Sequence, residues 1–332
     1  MELAHWLAMP QQVEAKVAEW QRRFPDRLRV DSITQYTGHR CLALTVGEPA
    51  RGAESAAGGI GAGKRAAWFC VPHAHEPGGT AAIMDFVEQL LTGRDLAGQP
   101  ARFDYERARR RLFLTFNPDA NPGGRTWAPC IWWDGSRYTN EELWTWMRGV
   151  DPETGGMWKR VARWSLREEH PLRRGIVYEQ LDEHQFVEPN RDPGSSLVRL
   201  FRQLDARYRF ARSLHLHQTE FERSAHNCMI NLPVLQPALP PALQAANENW
   251  GRAVIARWRT LGANPVPEPR GFPYGRDPQT VRWFRACWEE SQRRAPELVV
   301  EVQNNNPRTP PEQQLALALA AIQVTVEQLL EE

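Results

Sequence analysis

"AAWFCVPHAHEPGGTAAIMDFVEQLLTG", residues 66 to 93, decides the architecture. It opens as a short unbroken apolar run, crosses a polar turn holding His73, His75 and Glu76, and continues with an apolar stripe that stops at Gly93. A continuous apolar run of this length reads as a strand buried on both faces. The stripe closed by a glycine reads as a helix with its usual stop. The unit is therefore strand, turn, helix, with its chemistry-bearing residues at the strand's carboxyl end. In open α/β sheets that is the end where ligands bind.

The same rhythm extends in both directions. "PQQVEAKVAEWQRRFP" (10–25) places Val13, Val17, Trp20 and Phe24 about one helical turn apart. "LRVDSITQYTG" (28–38) and "RCLALTVG" (40–47) read as two strands joined by a polar turn. Further strands are expected in "RRLFLTFNP" (110–118), "FARSLHLH" (210–217) and "PELVVEVQ" (296–303). Helices are expected in "SSLVRLFRQLDARY" (195–208), "QTVRWFRACWEESQRRA" (279–295) and after Pro310-Pro311 to the end. Alternating strands and helices predict an α/β fold: a mixed, largely parallel central sheet with helices on both faces. One domain over 1–332 is expected. Residues 127–186 break the rhythm and hold seven of the 14 tryptophans, which reads as a Trp-rich insertion packed as a satellite core or as an aromatic wall over a cleft. "GEPARGAESAAGGIGAGKR" (47–65) reads as a surface loop; its "GGIGAG" lacks the Lys-Ser/Thr that a phosphate loop needs.

Composition excludes several classes of function. With 41 basic and 40 acidic residues the net charge is +1, so no nucleic-acid partner is expected, and "RARRR" (107–111) reads as a solvated face. No apolar stretch is long enough for a membrane span. The five cysteines, Cys41, Cys70, Cys130, Cys228 and Cys287, are odd in number and scattered, which argues against a disulfide framework and points to a cytoplasmic location.

Polar residues fall at four expected strand ends: His73, His75 and Glu76; Asn117 and Asp119; His215 and His217; and Glu301. Catalytic zinc commonly takes two imidazoles and a carboxylate and keeps a further position open. His73 and Glu76 can aim at one ion across a tight turn, and His215 is placed to be the third ligand, with His217 as the alternative. A carboxylate that is not a ligand then serves as base. Glu301 is the choice and Glu297, at the start of its strand, the alternative. Asp119 is a candidate for orienting a ligand histidine. Glu220 and Glu222 read as loop charges, and His226 as structural.

These motifs resemble the zinc carboxypeptidase family. Its His-x-x-Glu is matched by His73-Ala74-His75-Glu76, its Asn-Pro-Asp-Gly turn by Asn117-Pro118-Asp119-Ala120, and its Asn-Arg pair by Asn190-Arg191. Its histidine at a strand end is matched by "SLHLH" and its late glutamate by "LVVEVQ", all in the right order. The resemblance implies one Zn²⁺ per chain on His73, Glu76 and His215, with Glu301 as general base. It implies Asn190 and Arg191 as the grip on a substrate's terminal carboxylate, since a guanidinium fork suits that group. An arginine for the oxyanion is implied too: Arg125, with Arg137 as rival. Tyr274 would be a substrate-facing tyrosine. The implied activity is hydrolysis of an amide bond, removing the C-terminal residue of a peptide. Alternatives are deacylation of an N-acyl amino acid and a non-catalytic binding protein on the same fold. The chain departs from the family at Glu188-Pro189 before Asn190-Arg191, at Ala120, in the length of the insertion, and at "VQNNNP" after Glu301. Those positions surround substrate recognition more than the metal.

Overall fold

The strand–turn–helix unit forms as read: strand Arg65–Cys70, then helix Pro77–Thr92, ended by Gly93 in the left-handed conformation (φ 76°). The structure is a computed structural model and describes residues 5–48 and 64–332; most of the Gly/Ala-rich loop at 47–65, including "GGIGAG", lies outside the described residues. The first elements are α1 (Pro10–Arg23), β1 (Leu28–Thr34), β2 (Arg40–Val46), β3 (Arg65–Cys70), α2 (Pro77–Thr92), α3 (Tyr105–Arg111) and β4 (Leu112–Asn117). The insertion follows, with α4 (Pro122–Thr126), α5 (Asn140–Arg148), β5 (Gly149–Val150), β6 (Arg163–Ser165), β7 (Arg173–Arg174), β8 (Glu179–Gln180) and β9 (Gln185–Val187). The chain then returns to the main body with α6 (Ser196–Tyr208), β10 (Arg212–Thr219), β11 (Cys228–Asn231), α7 (Pro241–Thr260), α8 (Pro278–Gln292), β12 (Glu297–Gln303) and α9 (Pro311–Glu331).

Seven strands make the central sheet, in the order β1-β2-β4-β3-β10-β12-β11. The inner pairs β4–β3, β3–β10 and β10–β12 are parallel; the outer pairs are antiparallel. The mixed, largely parallel sheet of the sequence reading is thus observed.

Side-chain alternation divides the sheet into two faces. Leu214 and Leu216 of β10 and Leu298, Val300 and Val302 of β12 enter the larger core, beneath α1, α2, α7 and α9. Trp68 and Cys70 of β3 face the other way, into the core under α6 and α8. By the same alternation His215, His217, Glu297 and Glu301 must share that second face. The insertion carries its own aromatic cluster of Trp158, Trp164, Tyr178 and Phe186, with Trp164 stacked on Phe186 at 4.3 Å.

Arg107–Arg111 do not form a wholly solvated face. Arg109 is buried in α3 and donates to the Leu90 carbonyl at 3.0 Å, capping the last turn of α2. All five cysteines are free thiols. Among the described residues no helix is long and apolar enough to cross a membrane.

Candidate metal centre and active site

The turn after β3 is held from several sides. Val71 N donates to the Asn117 carbonyl at 3.0 Å, Ala120 N to the Val71 carbonyl at 3.0 Å, and Glu76 N to the His73 carbonyl at 3.1 Å. Gly78 lets α2 start hard against β10: a Cβ there would lie 2.8 Å from Gln218 Nε2, and Gly78 N donates to Gln218 Oε1 at 2.7 Å. The turn thereby carries His73 and Glu76 to the end of β10.

There the side chains converge. Glu76 Oε1 lies 2.9 Å from His73 Nδ1 and 3.0 Å from His217 Nδ1, and the two Nδ1 atoms are 3.2 Å apart. Donors bonded tetrahedrally at about 2.1 Å to one zinc ion sit roughly 3.4 Å from one another, so this triangle is close to what one ion requires. All three residues are buried, and the second oxygen of Glu76 has no partner. His73, Glu76 and His217 are the cluster that the described residues offer for a metal ion.

The third corner differs from the expectation, which put His215 there. β10 continues to Thr219, two residues beyond the predicted end, so the strand's mouth is at His217. His215 lies one pleat deeper, edge-on to the Trp288 ring at 4.7 Å, with its Nε2 unpartnered.

Glu188 orients His73. Its Oε1 accepts from His73 Nε2 at 2.7 Å and from Arg160 at 3.2 Å, its Oε2 accepts from Arg160 Nε at 3.3 Å, and Arg191 pairs with the same carboxylate. With Nε2–H so engaged, the Nδ1 lone pair points at Glu76 and His217. Burial alone would lower the His73 pKa, but the carboxylates of Glu76 and Glu188 outweigh it and raise it to about 9. The arrangement thus calls for positive charge between these donors. Burial would raise the Glu188 pKa; Arg160 and Arg191 override it and hold the carboxyl well below its ordinary range. Asp119, the expected orienting group, instead accepts from Asn121 N at 2.9 Å within its own turn.

Glu301 sits across the strand gap from His217, paired with it in register. Burial, reinforced by Glu76, raises its pKa to about 8. A cavity of about 490 Å³ opens over these groups, lined also by Asn190, Arg191, Tyr274 and Glu220. Arg191 lies 5.7 Å from the Tyr274 ring, and Tyr274 is half exposed. Glu220 accepts from Trp144 Nε1 at 3.1 Å, so it is not the plain loop charge expected; Glu222 is exposed, and His226 does not line the cavity.

Arg125 does not reach the cavity. It is fully buried and donates to the carbonyls of Ala8, Ala74 and Ile131. Its rival Arg137 is exposed and also lies off the cavity. The arginines that line it are Arg148, Arg160 and Arg191. Arg148 and Arg160 are not among the sequence candidates; Arg160 lies 3.3 Å from His73 Nε2. Of the seven insertion tryptophans only Trp144 lines the cavity; the insertion is chiefly a satellite core with one aromatic at the wall.

Solved structures share this arrangement of elements. The chain superposes on a metallo-carboxypeptidase from Burkholderia cenocepacia with TM-score 0.57 and 16% identity, covering 96% of this chain and 69% of that one. Bovine thrombin-activatable fibrinolysis inhibitor, in complex with tick carboxypeptidase inhibitor, gives 0.60 and 11%, covering 99% of both chains. Carboxypeptidase A from Helicoverpa armigera gives 0.58 and 12%, covering 98% of this chain and 74% of that one. The fold is that of the metallocarboxypeptidases. No protein-family model matches the chain, and no curated protein matches it. At such low identity the metallocarboxypeptidase likeness speaks for the fold, and the chemistry has to be argued from this chain's own residues.

Proposed function

We propose that the chain is a zinc-dependent hydrolase of amide bonds, of carboxypeptidase type, which removes the C-terminal residue of a short peptide. One observation carries this reading: His73 Nδ1, Glu76 Oε1 and His217 Nδ1 meet within 3.2 Å while Glu301, on the adjacent strand, stays outside the triangle. Three donors and a separate carboxylate are what a metal-assisted hydrolase needs.

His73, Glu76 and His217 would hold the ion. Bound zinc supplies a Lewis acid that polarises the scissile carbonyl and acidifies water. Glu301 takes a proton from the attacking water at its carboxylate and returns it to the leaving amine. Arg160, anchored by Glu188 and lining the cavity, would be the arginine that stabilises a tetrahedral oxyanion. Asn190 and Arg191 face the same cavity and grip the substrate's terminal carboxylate, and Tyr274 closes over Arg191. The insertion places Trp144, Met147 and Met157 at the wall, which favours short substrates over long chains. N-acyl amino acids, which offer the same amide and carboxylate, form the second arm of the test.

Metal analysis of the purified protein should find one zinc per chain, lost in His217→Ala and kept in His215→Ala. N-acyl dipeptides should be hydrolysed, with loss of activity on C-terminal amidation or on Glu301→Gln, the latter variant still holding zinc. Zinc retained by His217→Ala, or activity surviving exhaustive chelation, would overturn the proposal.

A further inference from the structure

The cavity does not end at the metal ligands. Glu297 lies four residues before Glu301 on β12 and on the same face, about 13 Å further down the strand at its usual rise. It lines the same cavity and is buried, 3% exposed. One carboxylate oxygen accepts from Gln292 Nε2 at 2.7 Å; the other, Oε2, has no partner. Among the described residues no lysine or arginine pairs with it.

A buried carboxyl with an orphan oxygen is costly, and such groups in native folds call for an explanation. Structural duty does not supply one here, because Gln292 satisfies only one oxygen. The neighbours point to a ligand. His215, one pleat below His217, also lines the cavity with an unpartnered Nε2. Asn231, opposite Val299 on β11, adds an amide to the same floor. The cavity lining also includes the apolar and aromatic side chains of Val299, Phe284 and Trp288, together with the polar Thr280 and Gln292. The result is a largely apolar passage with a buried carboxyl group at its floor. That shape suits a long aliphatic stem with a charged donor at its tip.

We infer that Glu297 is the specificity-determining residue of the subsite for the departing residue, and that this subsite selects a cationic side chain, an ammonium or a guanidinium. The inference rests on the carboxypeptidase reading above. It adds the substrate class. The substrate's terminal carboxylate would be held at Arg191, its scissile amide at the metal ligands, and its side chain would run down the passage to Glu297. Burial holds the Glu297 pKa up at about 8, and an arriving cation would draw the proton off and supply the missing partner.

The test uses N-acyl dipeptides ending in Arg, Lys, Leu, Phe or Asp. The first readout is kcat/KM on the zinc-loaded wild type; the second is calorimetric binding of the same peptides to the zinc-loaded Glu301→Gln variant. Peptides ending in Arg or Lys should exceed Leu and Phe by roughly tenfold or more in both, equivalent to about 1.4 kcal/mol. Glu297→Gln should lose that margin, the ratio of Arg or Lys to Leu falling by roughly tenfold. The wild-type profile alone keeps the inference refutable should the variant fail to fold. Preference for Leu, Phe or Asp would sink this inference and leave the hydrolase reading standing. Failure to bind or cleave every peptide would refute both.

Discussion

Replacing Glu188 with glutamine tests the support of the proposed metal centre without altering a proposed ligand. The carboxylate is fully buried and serves His73, Arg160 and Arg191 at once. Glutamine keeps the volume but offers one acceptor oxygen, and its amide N–H groups face guanidinium donors. The change strands buried positive charge, and breaking a buried ion pair from one side costs about 3–5 kcal/mol. The effect on the ion is smaller and separable. An outer carboxylate that fixes a ligand imidazole is worth about 10–100-fold in metal affinity, or roughly 1.4–2.7 kcal/mol. Urea unfolding of metal-free protein reads the first quantity, and zinc competition against a chromogenic chelator reads the second. The pH dependence gives a third check. The folded pKa of Glu188 lies below its ordinary value of 4.5, so its contribution is present above that pH and is lost as pH falls through the folded value. The stability gap between wild type and Glu188→Gln should therefore narrow on acidification below about 4.5. Wild-type zinc affinity together with an unchanged urea midpoint in Glu188→Gln would refute the reasoning.

Two further outcomes are expected. Arg125→Met should lower stability by several kcal/mol, about what an unpaired set of buried acceptors costs, while kcat of the surviving folded protein changes little; Arg160→Met should cut kcat by about 10²-fold or more. Parallel steady-state kinetics and urea titrations check both halves. Asp119 and Glu179 are buried carboxyls whose pKa values burial raises to about 7. The fold binds these protons more tightly than the unfolded chain, so their effect on stability becomes less favourable as pH rises from about 4 to 7, at about 1.4 kcal/mol per unit per group. The double variant Asp119→Asn, Glu179→Gln should flatten the slope of the urea midpoint across that window; an unaltered slope would count against the assignment.

The parts legible in the sequence are those with a period. The four inner strands β4, β3, β10 and β12 and the helix α2 announce themselves by apolar runs and stripes, and His73, Glu76 and Glu301 follow from them as strand-end residues. The choice between His215 and His217 was harder, because both alternate onto one face and only the strand's length separates them. Arg160 was invisible because the insertion has no period against which to count, so Arg125, nearer the Asn-Pro-Asp turn, stood in for it. Asparagines and Gly251 dilute the helical pattern of α7, so its period is not legible in the sequence. That glycine is there for packing: a Cβ would meet Pro269 at 2.8 Å and Ile230 at 3.1 Å. Glu188 was noticed as a departure in sequence, but its bond to His73 exists only once β9 brings it under the turn after β3.

The alternation that builds the core also builds the site. On β10 and β12 the residues Leu214, Leu216, Leu298, Val300 and Val302 hold one face to the larger core, and the intervening His215, His217, Glu297 and Glu301 are thereby forced to the other. A slip of one residue in either strand would send leucines into the cavity and ionisable groups into the core. The burial of five aliphatic side chains, each worth about 1.5–3 kcal/mol, opposes that slip. The same register sets Glu301 beside His217 and keeps Glu297 two pleats deeper on the same strand. Placement of the proposed base Glu301 and the depth of Glu297 are consequently fixed by hydrophobic residues on the opposite face of the sheet. A volume-conserving swap in the core, such as Leu216→Met, should leave the chemistry intact, whereas an insertion of one residue within β12 should abolish both metal binding and folding.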